Sequence, residues 1–198
     1  MSQSQSELKL KIEEEGALNL YNYVEVKNYK KGIFQIAEID ELLIDITIPL
    51  IEDYLSSNPK HDTITLDINS TGGCVFSGMA FINFIQYLAN NGVKININVR
   101  GCAMSMGALI AITKHPNINR TAMKSSVFLL HKGELNVNGN TNQVKDFFAF
   151  QEEFDNILKN HVLENCSITE EEYKSIERYE KFYTGTQALE KNMVDKLY

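Results

Sequence analysis

The sequence has few cysteines, and the three that it has, Cys74, Cys102 and Cys166, are odd in number. A disulfide framework needs cysteines in pairs, and a zinc site needs cysteine or histidine at short, fixed spacings. Neither pattern occurs here. We therefore expect free thiols, with no disulfide framework and no bound metal.

Positive charge is also scarce, because 19 lysines and arginines face 26 acidic residues and the net charge is −7. Proteins that bind nucleic acids need a basic face for phosphates, so this class is excluded. Apolar runs are short: residues 108–112 are too few to cross a bilayer, and residues 42–51 are interrupted by Asp45 and Pro49. We expect no membrane span. The first residues lack the basic start and apolar core of a signal peptide, which favours an intracellular, cytoplasmic protein.

Three strand-like segments each end in a chemically useful residue or loop. Residues 63–69 alternate and run into Gly72 and Gly73; residues 94–99 alternate and lead to Ser105; residues 126–130 are apolar and end at His131. Helix-like runs follow the first two segments. Strand-helix-strand order predicts parallel pairing, and parallel sheets carry functional loops at the C-terminal ends of their strands. With 198 residues, one α/β domain is expected.

Ser105 lies where a strand turns into a helix. Free backbone N–H groups and partial positive charge at that place stabilise an oxygen that becomes negative. A glycine loop for an oxyanion, a serine nucleophile and a histidine base together suit acyl transfer. Two alternatives stay open from the residues alone: Ser105 as a helix cap without chemistry, and Cys102 as the nucleophile in its place.

These motifs resemble the ClpP family, the proteolytic subunits of Clp proteases. Asn-Ser-Thr-Gly-Gly-Cys-Val at residues 69–75 is similar to the family's Asn-Ser-Pro-Gly-Gly-Ser-Val. Gly-Cys-Ala-Met-Ser-Met-Gly at residues 101–107 is similar to its nucleophile segment, and Leu-Leu-His at residues 129–131 to its histidine segment. The 26 residues from serine to histidine also fit, and the resemblance covers about residues 32–198.

The resemblance implies an α/β fold of the ClpP/crotonase type, with repeated β-β-α units, a long handle helix and a C-terminal helical segment. It implies one peptidase domain, residues 31–198, with the handle loop and helix at about residues 132–164. An axial segment, residues 1–30, precedes the domain and is expected to be partly mobile. Aromatic residues on more than one face of the expected handle helix, residues 142–164, predict a partner surface.

The resemblance also implies an assembly. We expect a homo-oligomer of stacked heptameric rings whose chamber admits unfolded polypeptides, and a partner AAA+ unfoldase. ATP would bind that partner, since this chain lacks a Gly-x-x-x-x-Gly-Lys-Ser/Thr loop. No cofactor is expected on the chain itself.

The family's site residues fall on matching positions. Ser105 is expected to attack the peptide carbonyl, His131 to move the proton, and the N–H groups of Gly73 and Met106 to hold the oxyanion. The family's third residue, an aspartate, is absent from residues 175–181, where Glu177 is the first substitute and Glu180 the second. The loop also departs from the family, because a threonine at position 71 stands where the family has proline.

Three other functions are compatible with these residues. A catalytically weak or silent ring subunit is favoured by the missing aspartate. A crotonase-like acyl-CoA enzyme shares the fold and the oxyanion hole. A phage-type maturation protease of the same fold would act on assembly proteins.

Overall fold

The computed structural model describes residues 28–133 and 137–198, so the predicted axial segment lies almost wholly outside the described residues. The strands are β1 Ile33–Ile39, β2 Thr63–Gly73, β3 Lys94–Met104, β4 Ile118–Ala122, β5 Val127–Leu130, β6 Lys181–Thr184 and β7 Lys196–Leu197. The helices are α1 Ile48–Ser57, α2 Val75–Asn90, α3 Met106–Ile112, α4 Thr141–Asn165, α5 Glu170–Arg178 and α6 Gly185–Glu190, and a π-helical turn, Leu43–Thr47, precedes α1.

The strands form one sheet, largely parallel, in the order β1-β2-β3-β4-β7. The long β3 changes partner along its length. Its first half pairs with β4, whereas its last residues, 102–104, pair in parallel with β5. β5 then pairs antiparallel with β6. The predicted α/β class and its parallel pairing are confirmed, and the ends of β2, β3 and β5 meet in one region.

Alternation along the central strands separates an apolar face from a polar one. The inward residues of β2 and β3, such as Leu66 and Ile97, are completely buried. On the polar face, Asp67 of β2 lies opposite Asn98 of β3 and accepts its side-chain N–H at 3.0 Å. Asn98 in turn accepts the hydroxyl of Thr121 in β4 at 2.6 Å. A one-residue slip of any of these strands would break this row and expose the apolar face, so the row specifies the register.

Helix α3, which follows Ser105, owes its position to burial. All seven of its residues, Met106–Ile112, are buried. A helix this short does not persist in water by itself, because the free-energy cost of nucleation exceeds the stabilisation from the hydrogen bonds of two turns. Tertiary packing therefore forms α3 and fixes the turn before it.

Pro49 interrupts the apolar run of residues 42–51, and proline is tolerated in the first turn of a helix but kinks a helix interior. The structure has Pro49 in the first turn of α1, which begins at Ile48 after the π-helical turn. The first turn needs no donor from proline, whose fixed φ suits that position.

The predicted long helix is confirmed as α4, with 25 residues. Asn140 caps it, accepting the N–H groups of residues 142 and 143, while the Gln143 side chain accepts the Asn140 N–H. Phe148, Phe150 and Ile157 are about half exposed. No helix within the described residues is both long and apolar enough to cross a membrane.

Candidate active site

Ser105 occupies a strained turn between β3 and α3. Its φ is 52° and its ψ is −124°, a conformation that costs a non-glycine residue about 1–3 kcal/mol. Hydrogen bonds on both sides hold it: the Ser105 N–H donates to Leu129 O of β5 at 2.9 Å, and the Ser105 carbonyl accepts the Ala108 N–H at 3.0 Å. The surrounding fold thus fixes the serine in a geometry that its own backbone disfavours.

His131 directly follows β5 and reaches Ser105. Its Nε2 lies 2.9 Å from Ser105 Oγ, which is hydrogen-bond distance. The contact follows from strand pairing, because Met104, before the serine, lies opposite Leu129, two residues before the histidine. The His131 side chain is 23% exposed, so it is largely shielded from water. With Nε2 unprotonated, the serine hydroxyl donates to it.

The structure brings Glu180 next to His131. Leu130 of β5 lies opposite Lys181 of β6 in an antiparallel pair, so the next residues outward, His131 and Glu180, face each other. Glu180 Oε1 lies 3.8 Å from His131 Nδ1, within ion-pair range but longer than a hydrogen bond. The Glu180 side chain is 61% exposed.

Glu177, the first substitute named from the sequence, lies on α5, three residues before Glu180, and it has other neighbours. Its charge helps to raise the pKa of Tyr173 to about 12, after the larger effect of burial. It also contributes to raising the pKa of Lys132, behind the hydrogen bond from Lys132 to Asp155. The role of either glutamate in catalysis stays a prediction.

Two glycines, predicted to form a loop after a strand, are the last residues of β2, and each approaches a neighbouring segment more closely than other residues allow. Gly72 has a φ of 109°, and a Cβ added there would lie 2.7 Å from Ser105 Cβ. Gly73 has a φ of 145°, and a Cβ added there would overlap the carbonyl oxygen of Ile39 in β1. The end of β2 therefore lies between β1 and the serine, and only glycine fits at both positions.

Met106 begins α3 directly after the serine. The first N–H groups of a helix have no acceptor within it, so the Met106 N–H points out at the turn. The Met106 side chain is buried, and it packs against Gly78 of α2, where a Cβ would overlap its Cε. This packing anchors the donor. That the Gly73 and Met106 N–H groups hold an oxyanion stays a prediction, and such donors must lie on either side of the reacting serine.

Cys102, the alternative nucleophile, has different contacts. Its Sγ lies 3.5 Å from both Asn69 Oδ1 and Ser70 O. Asn69 Oδ1 also accepts the Cys102 N–H at 3.1 Å. The sequence analysis gave Asn69 no role, yet its side chain ties the end of β2 to the end of β3. Its position at the start of the glycine motif was the available signal.

Among the residues that the structure describes, no group of three histidine, cysteine, aspartate or glutamate side chains is arranged to hold a metal ion. His161, on α4, is a structural residue: its Nε2 lies 2.9 Å from Leu109 O, and burial lowers its pKa.

The fold and this geometry define a class, the α/β proteins in which a serine on a strand-to-helix turn faces a histidine on the neighbouring strand. Comparison with known families makes the assignment specific. The family model for Clp protease matches residues 15–198. The chain belongs to the Clp protease family.

Curated relatives agree with the family assignment at modest identity. The chain is 33% identical over 106 residues to the ATP-dependent Clp protease proteolytic subunit 3 of Streptomyces avermitilis. It is also 33% identical over 106 residues to the ATP-dependent Clp protease proteolytic subunit 1 of Streptomyces coelicolor. Each match covers 54% of this chain and 45% of the relative, so the chain spans about half the length of the curated relatives that it matches.

Proposed function

We propose that the chain is the serine endopeptidase subunit of a Clp-type protease. The observation that carries the proposal is the 2.9 Å contact between Ser105 Oγ and His131 Nε2 at a strained turn. His131 takes the hydroxyl proton as Ser105 Oγ attacks the peptide carbonyl, and then gives it to the leaving amine. An acyl-enzyme remains, which water hydrolyses with His131 again acting as base.

The tetrahedral intermediate carries a negative oxygen, for which we propose the N–H groups of Gly73 and Met106. Gly72 touches Ser105, and Met106 follows it directly, which supports donors on both sides of the reacting carbon. Removing one such donor typically slows an enzyme by a factor of about 10²–10³.

Glu180 is the carboxylate that we propose to orient His131, in place of Glu177. It faces Nδ1 by strand register, at a distance of 3.8 Å that is within ion-pair range of a charged imidazole. Glu180→Gln should therefore lower kcat for a peptide substrate by about tenfold, with the smaller change in KM, since an exposed carboxylate contributes less than a buried one. Glu177→Gln is the matched control, and a larger loss in that variant would reverse the assignment.

The wider assembly is part of the proposal. Stacked heptameric rings of this chain would enclose the sites, and an AAA+ unfoldase would feed them unfolded polypeptides at the expense of ATP. The half-exposed side chains of Phe150 and Ile157, which are two turns apart on one face of α4, support an interface there, because exposed apolar side chains on one face mark contact surfaces. The reaction described above uses no metal or cofactor.

A weak or silent ring subunit is the second candidate, and one observation favours it. Glu180 is 61% exposed and 3.8 Å from the ring, so it orients His131 less firmly than a buried aspartate would. Catalysis without a strong third residue still keeps part of the rate, through the oxyanion site and binding.

One experiment separates the two candidates. The purified chain and a Ser105→Ala variant are treated with a fluorophosphonate probe, which reacts with activated serines, and intact masses are recorded. One adduct per chain on the wild type and none on the variant is the expected result. An unlabelled wild type would favour the silent subunit, and equal labelling of Ser105→Ala would refute the mechanism.

A further inference from the structure

The residue after the histidine carries an ion pair that the proposed reaction does not use. Lys132 Nζ lies 3.0 Å from Asp155 Oδ2 on α4. Asp155 is itself held in place, because its Oδ1 accepts the side-chain N–H of Gln151 at 2.6 Å. The pair therefore connects the backbone of His131 to the middle of the long helix.

The surroundings of Lys132 favour its protonated, positively charged form. Its hydrogen bond to Asp155 raises its pKa, burial opposes that effect, and the charges of Asp155, Glu177 and Glu152 raise it further. The side chain is half exposed, whereas Asp155 is 23% exposed. The raised pKa of Lys132 favours the charged form of its ammonium group.

His131 has strand support on one side only. β5 ends at Leu130, and Leu129 accepts the Ser105 N–H, so the chain before the histidine is fixed. In the two described residues that follow it, Lys132 and Gly133, the backbone belongs to no strand. Within the described residues, the Lys132 ion pair is the next side-chain contact along the chain.

We propose that Lys132 is a positioning residue, whose ion pair with Asp155 keeps the His131 ring at hydrogen-bond distance from Ser105. This inference rests on the proposed serine mechanism. A displacement of about 1 Å at a reacting group lowers a rate by about 10²-fold. Release of this restraint permits a smaller displacement of the His131 ring, and so a smaller loss of rate. The arrangement also makes the reactivity of Ser105 depend on the position of α4, which carries the exposed apolar residues.

The test measures the second-order rate of fluorophosphonate labelling at Ser105, which reports the serine-histidine geometry without a peptide substrate. Lys132→Met and Asp155→Asn should each label about tenfold more slowly. The charge-reversed double variant, Lys132→Asp with Asp155→Lys, should recover most of the rate. Lys94→Met is the matched control, because Lys94 pairs with Asp62 at 3.3 Å and lies at the far end of β3.

Two further readouts separate positioning from a general loss of structure or a change in charge. Wild-type labelling should slow as salt screens the pair, whereas Lys132→Met should not respond. The midpoint of the pH-rate profile should stay where it is in Lys132→Met. If Lys132→Met shifts the midpoint but leaves the plateau rate unchanged, the lysine acts through its charge on His131, and the inference is overturned. If Lys132→Met labels at the wild-type rate, the inference is also overturned.

The inference fails separately from the proposed function. If the wild type does not label, hydrogen exchange at the amides of residues 131–133 tests the restraint alone. Lys132→Met should then exchange faster there and Lys94→Met should not. Equal protection in Lys132→Met and the wild type would overturn the positioning role whatever the activity of the chain.

Discussion

Replacing Gly72 by alanine should disable Ser105 while the chain still folds. The new Cβ would lie 2.7 Å from Ser105 Cβ and 3.0 Å from Met104 O, and both atoms belong to a backbone segment held by strand pairing. Neither neighbour is the end of a flexible side chain. The conflict therefore displaces either the glycine loop or the serine turn.

The size of the effect follows from two contributions. Non-bonded carbon atoms pack at about 3.5–4.0 Å, so the two Cβ atoms must separate by about 1 Å. A misplacement of that size lowers the rate about 10²-fold. In addition, a φ of 109° disfavours alanine, and this strain lowers the free energy of unfolding by about 1–3 kcal/mol.

Gly92→Ala is the matched control. Gly92 has a φ of 89°, but an added Cβ meets no atom within 4 Å. It should therefore lose about 1–2 kcal/mol of stability from backbone strain alone and label at the wild-type rate. The labelling rate with the fluorophosphonate and the free energy of unfolding in urea are compared for the wild type, Gly72→Ala and Gly92→Ala. Wild-type labelling of Gly72→Ala, or an equal loss in Gly92→Ala, would refute the geometry.

Other expectations concern the core and the thiols. Arg120→Met should lower the free energy of unfolding by about 3 kcal/mol in urea denaturation, because the buried guanidinium pairs with Asp195 at 2.6 Å; a loss below 1 kcal/mol would contradict this. Burial raises the pKa of Asp195, but hydrogen bonds and charge from Arg120 lower it overall. Stability should therefore fall as the pH drops below about 4, and Arg120→Met should flatten that dependence. Iodoacetamide at pH 8 should alkylate Cys74 well before Cys166. Hydrogen bonds from Ser77 lower the pKa of Cys74, whereas burial raises the pKa of Cys166 to about 12. Peptide masses that show the reverse order would contradict this.

Local patterns in the sequence predicted the elements well. The polar and apolar alternation of residues 63–69 and 94–99 marked β2 and β3. Thr184 and Gln187 have the spacing of a capping box, and they cap α6 in this way. Asn192, a residue type that tolerates left-handed angles at a helix end, has a φ of 53°. These features depend on residues a few positions apart, so one stretch of chain contains all the information.

The sequence by itself determined which residues follow which strands, and hence that Ser105, His131 and the two glycines share one edge of the sheet. It did not determine which glutamate faces His131: Glu177 was the first substitute expected from the sequence, and Glu180 the second. The antiparallel register of β5 and β6 decided that Glu180 lies opposite the histidine. Pairing between distant segments depends on the packing of the whole sheet, and no local pattern encodes it.

The ion pair between Lys132 and Asp155 has the same origin. Its two residues are 23 positions apart, one after a strand and one on α4. Only the packing of α4 in the folded chain, against α3 and α5, brings the two charges together. The sequence therefore predicts which catalytic residue types follow which strands. The contacts that position those residues form only when the strands and helices pack together.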